Sequence, residues 1–172
     1  QEASFPGLLG NVVAGRVSKQ FDLGGTNCVV DAACASSLSA VHLAALELQS
    51  GKADMAISGG IDTFNDIFMY MCFSKTPALS PTGDARPFAS DADGTVLGEG
   101  VGMVLLKRLA DAEREGDRIY AVLRSIGTSS DGRSARRAMP TDLKLLLVFR
   151  ASMASCPLTV TSMGTRAMVS VV

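Results

Sequence analysis

Apolar residues in the first part of the chain fall into short runs separated by glycines, with one longer helical stripe. Residues 26–30 place Cys28, Val29 and Val30 in succession and predict a short buried strand. Across residues 36–50, Leu38, Val41, Ala45 and Leu48 recur at a helical period and predict a helix. The run ADMAIS at 53–58, set between Gly51 and Gly59-Gly60, predicts a second buried strand and so a strand–helix–strand unit. Gly59 and Gly60 are expected to let this strand pass close to a neighbouring backbone. Upstream, Leu8, Val12 and Val13 with Gly10 and Gly15 predict a loop entering a short helix, closed by a turn at Gly24-Gly25. Residues 63–73 hold Phe64, Ile67, Phe68, Met69, Tyr70, Met71 and Phe73, an apolar cluster that reads as core. Farther on, 101–107 predicts a strand, 109–116 a charged, exposed helix ended by Gly116, 119–126 another strand, and 127–132 a polar turn. Alternating strands and helices predict an α/β architecture.

Composition narrows the class. With 172 residues, 47% hydrophobic and 19% charged, the chain is about one domain long and can build a core. Its net charge of −1 speaks against electrostatic nucleic-acid binding, and no apolar run approaches a membrane span. No secretory signal is visible, although the chain begins with Gln1. The four cysteines, Cys28, Cys34, Cys72 and Cys156, form no CxxC pair, so a reducing, cytoplasmic setting is the default expectation. Residues 77–102 carry Asp84, Arg86, Asp91, Asp93 and Glu99, but aligning Gly94 with the turn glycine of a calcium loop puts Ala89 and Gly100 at ligand positions. No metal is expected. Buried Asp–Arg contacts holding the loop are expected instead. GEGVG at 98–102 lacks the spacing of a dinucleotide fingerprint.

Chemistry concentrates at DAACASSL, residues 31–38, where the strand gives way to the helix. Cys34 stands there among Ala32, Ala33, Ala35, Ser36 and Ser37. Small neighbours let a tight turn raise a nucleophile at its apex, and a helix start favours the thiolate. A buried structural cysteine is the alternative reading of this stretch alone.

The run VDAACASSL followed by SAVHLAALELQSGKADMAISGG resembles the active-site segment of β-ketoacyl synthases of the thiolase superfamily. The similarity continues through FSKTPALSPTGDARPF and DGTVLGEGVGMVLLKRLADAEREGDRIYAVLRSIGTSSDG. Together with PGLLGNVVAGR, these motifs most resemble the synthase domains of polyunsaturated fatty acid synthases and type I polyketide synthases. The resemblance implies a thiolase-like αβαβα layered sandwich, here incomplete, covering the end of the N-terminal half and the approach to the second. It implies that Cys34 accepts an acyl chain and that a decarboxylating malonyl-type extender then attacks it. Phe73, five residues before the ALS at 78–80, would line the acyl entrance. No cofactor is implied in the domain itself; substrates would ride on the phosphopantetheine of an acyl carrier protein. The implied partners are that carrier, other synthase domains and a second copy in a homodimer, with neither nucleic acid nor membrane.

The family also uses two histidines, one in a His-Gly-Thr-Gly-Thr motif, and neither is present. The single histidine, His42, lies eight residues beyond Cys34, about 12 Å along a helix axis, and reads as structural. The chain alone is therefore not expected to catalyse condensation. Ala32 stands where many synthases have Thr, Ala89 where Asp often follows Arg-Pro-Phe, and Thr95 where fatty-acid-type synthases often have Phe. Two other readings are a non-catalytic, chain-length-factor-like partner subunit, which retention of Cys34 opposes, and a thiolase-like enzyme acting on CoA esters.

After Arg133 the character changes. Residues 1–133 hold 11 Lys+Arg against 16 Asp+Glu, and residues 134–172 hold 5 against 1. The tail has one glycine and four methionines, with poor helix and strand periods. Accordingly 1–133 is read as a partial synthase domain. Residues 134–172 are read as an atypical tail, either an out-of-frame translation or a divergent, basic segment.

Overall fold

A computed structural model describes residues 4–63, 65–128 and 167–171. The chain divides into two compact units: residues 1–60 with 103–172, and residues 61–102.

In the first unit a 3-10 turn, Phe5–Leu8, leads into α1, Val12–Gln20. The chain then reverses through Gly25, at φ 106, into β1, Asn27–Val29. Helix α2, Ser36–Gln49, follows, and then β2, Met55–Asp62, which runs on through Gly59-Gly60. After α3 (Ile67–Lys75) come β3, Gly100–Lys107, and α4, Leu109–Glu115, which Gly116 ends in the left-handed conformation at φ 72. The last described element is β4, Ala167–Val171. The sheet order is β1-β4-β2-β3, and β4 is parallel to both of its neighbours. The expected strand–helix–strand unit is present, with another strand lying between its two strands.

Successive strand residues face opposite sides of a sheet, which places the helices. Ala56, with Cys28 and Leu106, packs with Ala44 and Leu48 of α2, whereas Val29 and Ile57 pack with Ala14 and Val17 of α1. The two helices therefore cover opposite faces. Among the described residues the core is built of small side chains, and Ser58 is the largest that is fully buried. The buried stripe of α2 is Ser36, Ala40, Ala44 and Leu48, one step round from the expected one, while Leu38, Val41 and Ala45 are half-buried. Small side chains win the inward face because they let the helix approach the sheet closely. Arg108 fastens the far end of α2 to β2, donating to the carbonyls of Leu48 (3.0 Å) and Ala53 (2.6 Å) and to Asp54 (2.9 Å).

Residues 119–126 form no strand. Propensity alone does not make one; a strand needs a ladder partner. Ile119 and Ala121, Val122 and Leu123 instead line a cleft with Ala45 and Leu48 of α2 and Leu105 and Leu106 of β3. The boundary after Arg133 and nearly all of the tail lie outside the described residues; β4, from its end, is a regular strand.

The second unit contains α3 and a long loop. Asp66 caps α3 by accepting from the Met69 N–H at 3.0 Å. Contrary to the expectation of core, α3 has no buried residue, and Ile67, Phe68 and Met71 are 79%, 64% and 55% exposed. An apolar sequence records a demand for burial, and among the described residues of this helix only Met69 and Phe73 are even half-buried. The loop is pinned where Leu79 pairs with Thr95, with the Ser80 N–H on the Thr95 carbonyl and the Thr95 N–H on the Ala78 carbonyl, both at 2.8 Å.

Candidate active site

The turn between β1 and α2 holds Cys34 at the centre of a short 3-10 segment, Ala33–Ala35, two residues ahead of Ser36, where the helix begins. The thiol is free and exposed, so the buried structural reading does not hold. Ala33, just before it, has φ 49. An alanine in that left-handed region costs about 1 kcal/mol, so its surroundings must hold it there.

Two side chains do so. Asp31 Oδ1 accepts from the Ala33 N–H at 3.0 Å. Ser36 Oγ accepts from the Ala32 N–H at 2.7 Å and donates to the Ala33 carbonyl at 2.6 Å. Ser36 is buried, and its hydroxyl thus bridges the two residues that precede the cysteine. Ala35 is buried beneath the turn, so the chain is anchored on both sides of an outward-facing sulfur. In the sequence Ser36 reads only as a small residue. The clue was an Asp and a Ser flanking the turn, residues that readily bond to nearby backbone.

Beneath this turn β2 carries Gly60, where an added Cβ would lie 2.9 Å from the Ser37 Cβ. The close approach expected of the Gly59-Gly60 pair is therefore made against the first turn of α2. Next on the same face of β2, Ser58 is fully buried and its Oγ has no hydrogen-bond partner among the described residues. His42 lies half-buried on α2, two turns beyond Cys34.

Phe73 belongs to the second unit, on α3, where it is half-buried. In that unit the expected Asp–Arg contacts are present but not buried. Asp93 accepts from Ser80 Oγ (2.7 Å), Thr82 Oγ1 (2.9 Å) and the Arg86 guanidinium (3.0 Å), and Arg86 also reaches Asp91 at 2.7 Å. The hydroxyls of Ser80 and Thr82, ahead of Arg86, hold the Asp93 carboxyl below its ordinary value. Asp91 is 69% exposed, because the loop in this unit has solvent on its outer side. At Gly94 an added Cβ would fall 2.5 Å from the Ser80 nitrogen. Among the described residues no group of three or more His, Cys, Asp and Glu side chains could hold a metal ion, and no helix is long and apolar enough to cross a membrane.

The turn thus presents a free, exposed thiol, over a sheet with helices on both faces, in a position that covalent chemistry can use. The chain belongs to the β-ketoacyl synthase family: residues 1–112 match its N-terminal domain. It is 53% identical over 138 residues to a polyunsaturated fatty acid synthase protein of a Thraustochytrium species, covering 80% of this chain and 5% of that protein. It is 42% identical over 153 residues to a spectinabilin polyketide synthase system protein of Streptomyces orinoci, covering 89% of this chain and 4% of that one. A match over 89% of the chain necessarily runs past Arg133, farther than the motifs reach. Among solved structures, the ketosynthase from module 6 of the bacillaene synthase of Bacillus subtilis 168 superposes with a TM-score of 0.69 at 37% identity, over 73% of this chain and 23% of that one. The fold is thus the thiolase-like fold of the ketosynthases, represented in part. The chain spans only a small fraction of the curated relatives it matches.

Proposed function

We propose that this chain supplies the nucleophilic part of a ketosynthase active site for polyunsaturated fatty acid or polyketide assembly, with Cys34 as the acyl acceptor. The observation that carries this reading is the exposed, free thiol of Cys34 on the strained turn between β1 and α2. The Cys34 sulfur attacks the carbonyl of an acyl thioester, and the carrier thiol leaves with the proton. The Cys34 amide at the helix entry is one donor to the oxyanion that forms in between. A malonyl-type extender then loses carbon dioxide, and its carbanion attacks the acyl-Cys34 carbonyl. The β-ketoacyl product leaves on the extender's carrier and the cysteine thiolate is regenerated.

In this reading the acyl groups arrive on the phosphopantetheine of an acyl carrier protein, and Phe73 lines the acyl entrance. The relatives' names, a polyunsaturated fatty acid synthase and a polyketide synthase, support the substrate class. The chain's one histidine is two helical turns from the thiol, so decarboxylation calls on groups this chain does not contain. The chain therefore accepts an acyl group without completing the condensation. Incubation with an acyl N-acetylcysteamine thioester should add one acyl mass, mapped to Cys34. Adding a malonyl thioester should then release no β-ketoacyl product. Absence of an adduct, or an adduct elsewhere, would refute the assignment.

A further inference from the structure

Around the thiol, residues 32–36 present successive backbone N–H groups, and the neighbours of Cys34 have theirs engaged. The Ala32 N–H donates to Ser36 Oγ at 2.7 Å, and the Ala33 N–H to Asp31 Oδ1 at 3.0 Å. The Ala35 N–H donates to the Ala32 carbonyl at 3.1 Å, and the Ser36 N–H to the Ala33 carbonyl. Among the described residues no acceptor takes the N–H of Cys34.

The direction of that N–H is set at the other edge of its own peptide. In a planar trans peptide the carbonyl of one residue and the N–H of the next point opposite ways. The Ala33 carbonyl shares its peptide with the Cys34 N–H, and one residue holds it twice. The Ser36 N–H donates to it, and so does the Ser36 hydroxyl, at 2.6 Å. Ser36 is buried, whereas Cys34 is exposed. Fixing the carbonyl on Ser36 therefore directs the Cys34 N–H away from it, with the strained Ala33, at φ 49, as the joint. Asp31 steadies the preceding peptide through the Ala33 N–H. An alanine at position 36 would fill nearly the same space, so packing alone does not call for the hydroxyl.

We propose that Ser36 is a positioning residue for acyl transfer, assisted by Asp31: it fixes the Ala33–Cys34 peptide so that the Cys34 N–H is free to meet the oxyanion. This rests on the reading of Cys34 as the acyl acceptor. When the Cys34 sulfur bonds to the thioester carbonyl carbon, negative charge moves onto the carbonyl oxygen, and a preset N–H stabilises it there. The oxyanion then collapses, the carbon–sulfur bond of the thioester breaks, and the departing thiol carries the proton lost by Cys34.

Two reagents separate this role from general loosening. An acyl N-acetylcysteamine thioester passes through an oxyanion; iodoacetamide, displaced at a saturated carbon with loss of iodide, does not. Both rates are measured at Cys34 and at Cys72 by site-resolved mass spectrometry on the whole chain. In Ser36→Ala, acylation of Cys34 should fall about tenfold or more, while its alkylation changes by less than about threefold. Asp31 is exposed, so Asp31→Ala tests the same peptide with little risk to folding; it should lower the acylation-to-alkylation ratio too. Asp31→Asn, which keeps an acceptor oxygen and removes the charge, should restore the parental ratio. A ratio within about twofold of the parent in Ser36→Ala, or in Asp31→Ala if the first variant does not fold, would overturn the proposal. Acylation of Cys34 no faster than of Cys72 in the parent chain would remove the nucleophile itself, and the positioning role with it.

Discussion

Gly60 of β2 lies beneath Ser37 of α2 so closely that one added methyl group would come 2.9 Å from the Ser37 Cβ. Both positions are backbone-anchored, one in a ladder and one in the first turn of a helix, so neither yields cheaply. Gly60→Ala should push up the helix start three residues from Cys34. The expected cost is about 1–3 kcal/mol of stability, as for other insertions into a packed core. A lowered urea midpoint with slower Cys34 alkylation checks it; an unchanged midpoint would show that α2 can shift freely.

The hydroxyl of Ser36 holds both the Ala32 N–H and the Ala33 carbonyl. Ser36→Ala leaves a part-buried donor and acceptor without their partner and releases the strained Ala33. We expect a loss of about 1–2 kcal/mol and a change in the alkylation rate of Cys34, with little change at the exposed Cys72 as an internal reference. Parallel changes at both thiols would point to general loosening instead.

Ser58 presents the opposite case. Its hydroxyl is fully buried and unpartnered among the described residues, so it carries a desolvation cost without a compensating bond there. Ser58→Ala should leave stability unchanged or raise it by about 1 kcal/mol, read as an equal or higher urea midpoint. Clear destabilisation would reveal a partner for that hydroxyl.

Acid should loosen the loop around Asp93. Ser80 and Thr82, then Arg86, hold its carboxyl below the ordinary aspartate value, so the folded loop favours the ionised form. That contribution is complete above the unfolded value of about 3.9 and is lost as pH falls through the lowered one. Proteolysis by pepsin within residues 80–95 should accelerate as pH drops through that window. In Asp93→Asn the loop should be cut readily at every pH in the window, with a flatter dependence.

The geometry of the candidate site was legible where local chemistry dictates it. Cys34 stood out because small residues surround it at a change of periodicity, and the glycine pair in β2 announced a close approach. The hydroxyl network was not legible, since serine and alanine satisfy the same demand for a small residue. The inward stripe of α2 was misplaced because the larger aliphatics looked like core, whereas tight helix–sheet contact selects Ala40 and Ala44. At α3 and at residues 119–126 the sequence stated what the chain prefers but not what neighbours it has. The interior place of β4 follows from topology between distant segments, which no local pattern encodes.

If Cys34 is an acyl-accepting nucleophile, Cys72, equally free and exposed, provides a control within the same molecule. Site-resolved mass spectrometry after limited exposure to an acyl N-acetylcysteamine thioester measures the difference directly. Acylation of Cys34 should run well ahead of Cys72, and the fast adduct should be lost in Cys34→Ala. Equal modification of the two thiols, or an undiminished fast adduct in Cys34→Ala, would contradict the assignment of Cys34 as the nucleophile.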